Sequence, residues 1–294
     1  MIEKTDDLFY QESGKYDITG FIFSIAVYLI VAIFIGYFYT LVVTIFPIVY
    51  FNFIIAITVA AGLGMTVKIA TRLSKNRNRK SKLFQAILIG LVFTLFQWIA
   101  YVVYAYKNHA PSLEEYFSGM ELLVHPGDFF YMIGEINHYG MWSMFGMTVN
   151  GFTLALVWFL ELAIFIAIPI ILVYRTKPYP YSENQLKWFK KYTLFKDFES
   201  LSGSDYILAD LKIDPVETLK NLKKGDGLRH TKAHLFYLEN EDYGYLTLEK
   251  IFIEEQGKGT RHADIILNNF KLTRHAAEQI LKQFENNKEK IDIV

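Results

Sequence analysis

The sequence predicts an α-helical membrane bundle of four transmembrane helices plus a small C-terminal α+β cytoplasmic domain. Three observations predict it. Of 294 residues, 52% are hydrophobic and 17% aromatic, and the mean hydropathy of +0.21 is too apolar for an ordinary soluble chain. Four long runs with almost no charge fall before residue 176. Beyond them, helix and strand signals of ordinary length take over.

Thirty basic residues balance thirty acidic ones, so any electrostatic inference rests on where charges sit along the chain. The absence of cysteine excludes disulfides, thiolate metal sites and cysteine nucleophiles.

Residues 1–17 (MIEKTDDLFYQESGKYD) lack the basic start of a cleavable signal and read as a cytoplasmic lead-in, amphipathic or disordered. From Ile18 to Val67 no residue is charged. Such a run of ~50 residues is about twice one bilayer crossing, so it must fold as a hairpin of two, near 18–40 and 46–69. Pro47 suits the first turn of the second. Leu83–Tyr106 and Phe152–Tyr174, the latter broken only by Glu161, supply the third and fourth and complete a transmembrane domain over 18–175.

Arg72, Lys75, Arg77, Arg79, Lys80 and Lys82 crowd the loop between the second and third crossings. Basic loops stay cytoplasmic, which puts both termini inside. The same loop has no interleaved aromatics to stack on bases, so no nucleic-acid partner is expected. By layout alone the location would be the plasma membrane, as a bacterial inner membrane.

The extracytoplasmic loop 108–150 is too long for a turn and should be structured. Ser112-Leu113-Glu114-Glu115 has capping-box spacing, and Pro126 opens a second short helix ending near Gly140. Phe117, Met120 and Val124, then Phe129, Met132, Ile133 and Ile136, give these helices an apolar side, with Trp142 suited to the headgroup level.

Residues 176–199 read as a juxtamembrane linker and basic amphipathic helix, with Leu186, Trp188, Phe189 and Tyr192 against the membrane surface. The domain over 200–294 should start with a strand at Tyr206–Ile213 and a helix capped by Asp214 that ends at Gly225. An antiparallel hairpin, Ala233–Leu238 with Tyr245–Ile253, follows. After a loop holding Gly257 and Gly259 come a third apolar stretch, Ile265–Leu272, and a last helix from Arg274 capped by Thr273. A helix over Ala263–Phe270 would instead make a helix-turn-helix.

Among candidate sites, Glu161 stands first, because an intramembrane carboxylate is costly unless it serves a purpose. Gln97 lies at the same depth, with Asn52 somewhat nearer the surface, so the three form one intramembrane polar level. It reads either as interhelical hydrogen bonding or as a proton, ion or ligand site.

His125, Asp128, Glu135 and His138 are weak candidates for an extracytoplasmic metal. Glu135 and His138 share the Glu-x-x-His spacing of di-iron helices, but it occurs once. His230 and His234 have the spacing of paired zinc ligands without the glutamate of a hydrolytic helix. Gly225-Asp226-Gly227 and Gly257-Lys258-Gly259 are turns, and no cofactor motif is legible.

Small-x-x-x-small spacings at Ala32/Gly36, Ala56/Ala60/Gly64, Ala86/Gly90 and Ala163/Ala167 argue for a packed bundle and would also suit a homo-oligomer. The functional expectation is an anchoring or interaction protein in a lipid bilayer whose cytoplasmic domain binds a protein partner. A small transporter or channel using Glu161, Gln97 and Asn52 is second, and an intramembrane enzyme with an extracytoplasmic metal third.

Overall fold

A computed structural model describes residues 8–46, 49–109, 119–140, 143–144, 147–253 and 261–284. The chain divides into two compact units, Ser13–Thr176 and a second that joins Met1–Glu12 to Lys177–Val294.

The first unit holds, in chain order, α1 (Ile18–Ile45), α2 (Val49–Leu73), α3 (Arg79–His109), α4 (Gly119–Val124), α5 (Pro126–Tyr139), a two-stranded ribbon of β1 (Ser143–Met144) and β2 (Met147–Thr148), and α6 (Gly151–Arg175). Helices α1, α2, α3 and α6 are long and apolar enough to cross a membrane. In hydrocarbon an apolar segment can satisfy its backbone only internally, and the helix does so. Ile22, Phe34, Phe38, Ile54 and Phe159 are exposed on their outer faces, an apolar surface suited to a bilayer.

The Asp17 side chain caps α1 by accepting from Gly20 N–H at 3.0 Å. Asn78 does the same for α3, accepting from Ser81 N–H at 2.9 Å. The basic loop is partly structural: Arg77 is buried, its N–H donates to Lys15 O, and the Arg79 guanidinium lies 4.4 Å from the centre of the Tyr174 ring.

Ala32, Ala56, Ala60 and Ala86 are fully buried where the helices cross. The Ala163/Ala167 spacing is not part of such a crossing, since both residues are exposed. Helix α6 instead turns Phe165, Pro169 and Val173 inward, and Phe165 and Pro169 fit over Gly90 and Gly64 of its neighbours. With the small residues on α2 and α3, α6 supplies the bulk.

Helix α5 starts at Pro126 and stops at Gly140, and its Phe129, Met132 and Ile136 pack with Leu122 of α4 on Ile99 and Val102 of α3. Met120 and Val124, expected on the apolar side of their helix, are exposed. Pro47, Ser112–Glu115, Phe117, Trp142, Gly257 and Gly259 lie outside the described residues.

The second unit contains β3 (Tyr181–Ser182), β4 (Lys187–Trp188), β5 (Lys190–Thr193), β6 (Phe198–Glu199), α7 (Ser204–Ile213), α8 (Pro215–Asn221), β7 (Arg229–Tyr237), β8 (Tyr243–Ile253), β9 (Arg261–Thr273) and α9 (Arg274–Phe284). Strands β7, β8 and β9 pair antiparallel in sequence order, and β5 and β6 share the free edge of β7. One face buries Ala233, Leu235, Leu246 and Leu248 against Ile207, Leu211, Leu219, Ala277 and Ile280 of the helices. On the other face an aromatic cluster joins Phe189, Phe236 and Tyr245 with Tyr10 and Tyr179.

Five expectations need correction. Residues 8–10 are an added edge of this sheet: Phe9 bridges Phe270, and Tyr10 N–H donates to Asn269 O at 3.0 Å. Adjacent aromatics favour strand pairing when an unpaired edge is available, here that of β9. Residues 181–199 form strands and not an amphipathic helix; Phe189 is buried in the aromatic cluster, and β5 pairs with β7. Tyr206–Ile213 belongs to a helix because Ile207 and Leu211, four apart, are the buried pair while Tyr206 and Ile213 are 86% and 85% exposed. The helix that Asp214 caps, accepting from Val216 and Glu217 N–H at 3.0 Å, stops at Asn221 and not at Gly225. Residues 263–270 lie in β9, which removes the helix-turn-helix alternative.

Candidate functional site

All four long helices contribute to one small cavity of about 40 Å³. Its lining includes Tyr39 and Val43 of α1, Asn52 of α2, Gln97, Trp98 and Tyr101 of α3, and Trp158 and Glu161 of α6. Glu161, Gln97 and Asn52, read from the sequence as one polar level, all line it. Helical spacing explains the convergence: Gln97 and Tyr101 are four apart on α3, and Trp158 and Glu161 are three apart on α6.

The interhelical hydrogen bond to Glu161 comes from α1, not from Gln97. Tyr39 Oη donates to Glu161 Oε1 at 3.2 Å. Beneath it Tyr39, Phe93 and Phe165 pack edge to face, with centroids 5.8, 5.5 and 4.7 Å apart. Trp98 and Trp158 meet edge to face at 4.6 Å and form a wall. The Asn52 Oδ1 is buried and accepts no hydrogen bond. Among the described residues, no lysine, arginine or histidine lines the cavity.

A second buried polar pair lies in the same unit. Tyr28 Oη donates to Gln85 Oε1 at 2.7 Å, and Gln85 Nε2 donates to Ser81 Oγ at 3.3 Å. The only advance signals of Tyr28 and Tyr39 were hydroxyls in otherwise apolar helices, easily taken for interfacial aromatics.

The remaining sequence candidates do not assemble. His125, Asp128 and His138 are exposed, Glu135 is half-buried, and no group of three metal-ligating side chains forms among the described residues. His230 and His234 sit on β7, where four residues span ~13 Å, too far for one metal. No protein-family model, curated protein or solved structure matches the chain.

His234 has its own chemistry. Its Nε2 is 3.1 Å from Glu249 Oε2 and its Nδ1 is 3.0 Å from Thr193 Oγ1. A carboxylate only accepts, so Nε2 carries the proton, and Nδ1 of the neutral ring accepts from the hydroxyl. Burial, then the Lys191 ammonium, hold the imidazole below its ordinary value of 6.5; Glu249 opposes and Lys232 assists. In the unfolded chain the proton binds more readily, so acid favours unfolding. Stability of the full-length protein should fall as pH drops through about 6.5 and level off below the folded-state value. His234→Gln should lose that part of the fall in a pH series of thermal midpoints; an unchanged profile refutes the assignment.

The C-terminal unit also carries a groove of about 420 Å³ along α7 and α8. Tyr206, Ile207 and Ile213 give it an apolar floor and lip, and Asp210, Asp214 and Glu217 line it with no basic side chain among the described residues. Glu217 is paired with Lys220 at 3.3 Å, while Asp210 and Asp214 are exposed.

Proposed function

We propose that this protein is a plasma-membrane anchoring and interaction protein, in a bacterial inner membrane, whose α+β domain binds a protein partner on the cytoplasmic side. The groove on α7 and α8 is the observation that carries this reading: two large apolar side chains exposed beside carboxylates are suited to a partner helix with apolar anchors and flanking lysines or arginines. Anchors of this kind dominate binding energy, and the acidic rim sets partner choice and salt dependence.

The cytoplasmic orientation rests on two supports. Residues 9 and 10 pair with β9, which supports a reading in which the chain on either side of the membrane unit belongs to one sheet on one side of the bilayer. The basic loop bonds to residues 13–15 on that same side, which the charge rule makes cytoplasmic. Cysteines introduced into this cysteine-free chain check it. An impermeant thiol reagent on intact cells should label Asp128→Cys and spare Ile213→Cys until the cells are opened; the reverse pattern would refute the orientation.

The partner reading is tested with the full-length protein in nanodiscs and a fluorescent amphipathic leucine–lysine peptide. Binding should weaken with salt, fall at least about tenfold for Tyr206→Ser with Ile213→Ser, and fall again for Asp210→Lys. A leucine–glutamate peptide of the same pattern should not bind. Equal binding by wild type and variants would sink the groove as the docking site.

A further inference from the structure

We propose that the cavity at the Glu161 level binds one small monovalent cation, held between the Glu161 carboxylate and the amide oxygens of Asn52 and Gln97. This goes beyond partner binding and does not depend on it.

Charge is the first argument. Among the described residues, Glu161 receives one hydrogen bond, from Tyr39, and no cationic side chain lines the cavity to balance it. A carboxylate away from bulk water needs a proton, a cationic side chain or a bound cation. The second argument is the Asn52 Oδ1, a buried acceptor left without a donor on the wall of the same cavity. Such atoms are rare because the desolvation cost goes unanswered. Protonating Glu161 would remove the charge and leave the space unfilled; a cation answers the charge, the orphan oxygen and the space together.

Size and ligand type then select the ion. A cavity of about 40 Å³ has room for an alkali-metal-sized ion with one water or so, and excludes an organic cation. One carboxylate with amide and hydroxyl oxygens is too few and too weakly charged for calcium or magnesium, which want six or more oxygens or several carboxylates. The aromatic side chains of Tyr39, Tyr101, Trp98 and Trp158 line the same cavity, and electron-rich rings there would favour a cation.

The test is thermal unfolding of the purified full-length protein in sodium, potassium or N-methyl-D-glucamine chloride at constant ionic strength and several pH values. A saturable rise in midpoint with sodium or potassium, absent with N-methyl-D-glucamine, is expected. The midpoint concentration should rise about tenfold for each unit that pH is lowered once protons compete for the carboxylate. Glu161→Gln should abolish the effect, and Asn52→Leu, which keeps the carboxylate, should weaken it at least about tenfold. Identical curves in all three salts overturn the proposal, as does a rise that survives unchanged in both variants. If Glu161→Gln does not fold, Asn52→Leu and the salt comparison on the wild type decide alone.

Discussion

Gly90→Ala is expected to destabilise the membrane bundle by about 1–3 kcal/mol, the usual cost of forcing atoms into a packed interior. Gly62→Ala should be neutral or slightly stabilising. Both glycines lie inside long helices, so intrinsic helix preference favours alanine at each. What differs is the neighbour. A Cβ on Gly90 would stand 2.5 Å from Phe165 O and 3.1 Å from its carbonyl carbon, both backbone atoms of α6 that cannot swing aside. A Cβ on Gly62 would meet nothing within 4 Å. Because Phe165 also packs on Tyr39, the partner of Glu161, pushing α6 outward should loosen the cavity too. Thermal unfolding in one detergent decides: equal midpoints for the two variants would mean that the α3–α6 crossing is not as close as described.

The bundle was legible in the sequence because hydrocarbon leaves a long apolar segment one option, so length and charge suffice to place α1, α2, α3 and α6. That Glu161, Gln97 and Asn52 could line one cavity was legible from depth, since rise per residue converts position into height. Rotation about each helix axis was not. Tyr39 as donor to Glu161, and the outward turn of Ala163 and Ala167, depend on which face each helix presents, and apolar residues all round leave no periodic signal. In the soluble unit the hairpin of β7 and β8 showed as alternation around a turn. Short segments misled: Tyr206–Ile213 is rich enough in apolar residues to read as a strand, and only tertiary contacts make Ile207 and Leu211 its buried pair. The pairing of Phe9 with Phe270 joins residues at opposite ends of the chain, and no local pattern announces it.

Phe198→Ala should cost the C-terminal unit about 3–5 kcal/mol, the range for removing a fully buried phenylalanine. Phe198 lies in the segment that reads from sequence as linker, where truncation would cost nearly nothing, so the measurement separates the two descriptions. In the structure its side chain is completely buried, packs edge to face on Phe284 of α9 at 5.8 Å, and sits on β6, whose residues pair with His230 and Thr231 of β7. Removing the ring opens a cavity between sheet and last helix that neither can close without breaking that pairing. Leu186→Ala is the control: Leu186 is 57% exposed, and the change should stay within about 0.5 kcal/mol. Trypsin pulses across a urea series, applied to the full-length protein, would read the opening of this lysine-rich unit directly. A large loss for Leu186→Ala with none for Phe198→Ala would restore the surface-helix description and remove 181–199 from the sheet. The opposite result would make β5 and β6 part of the folded unit that presents α7 and α8, and so part of what holds the groove along those helices in shape.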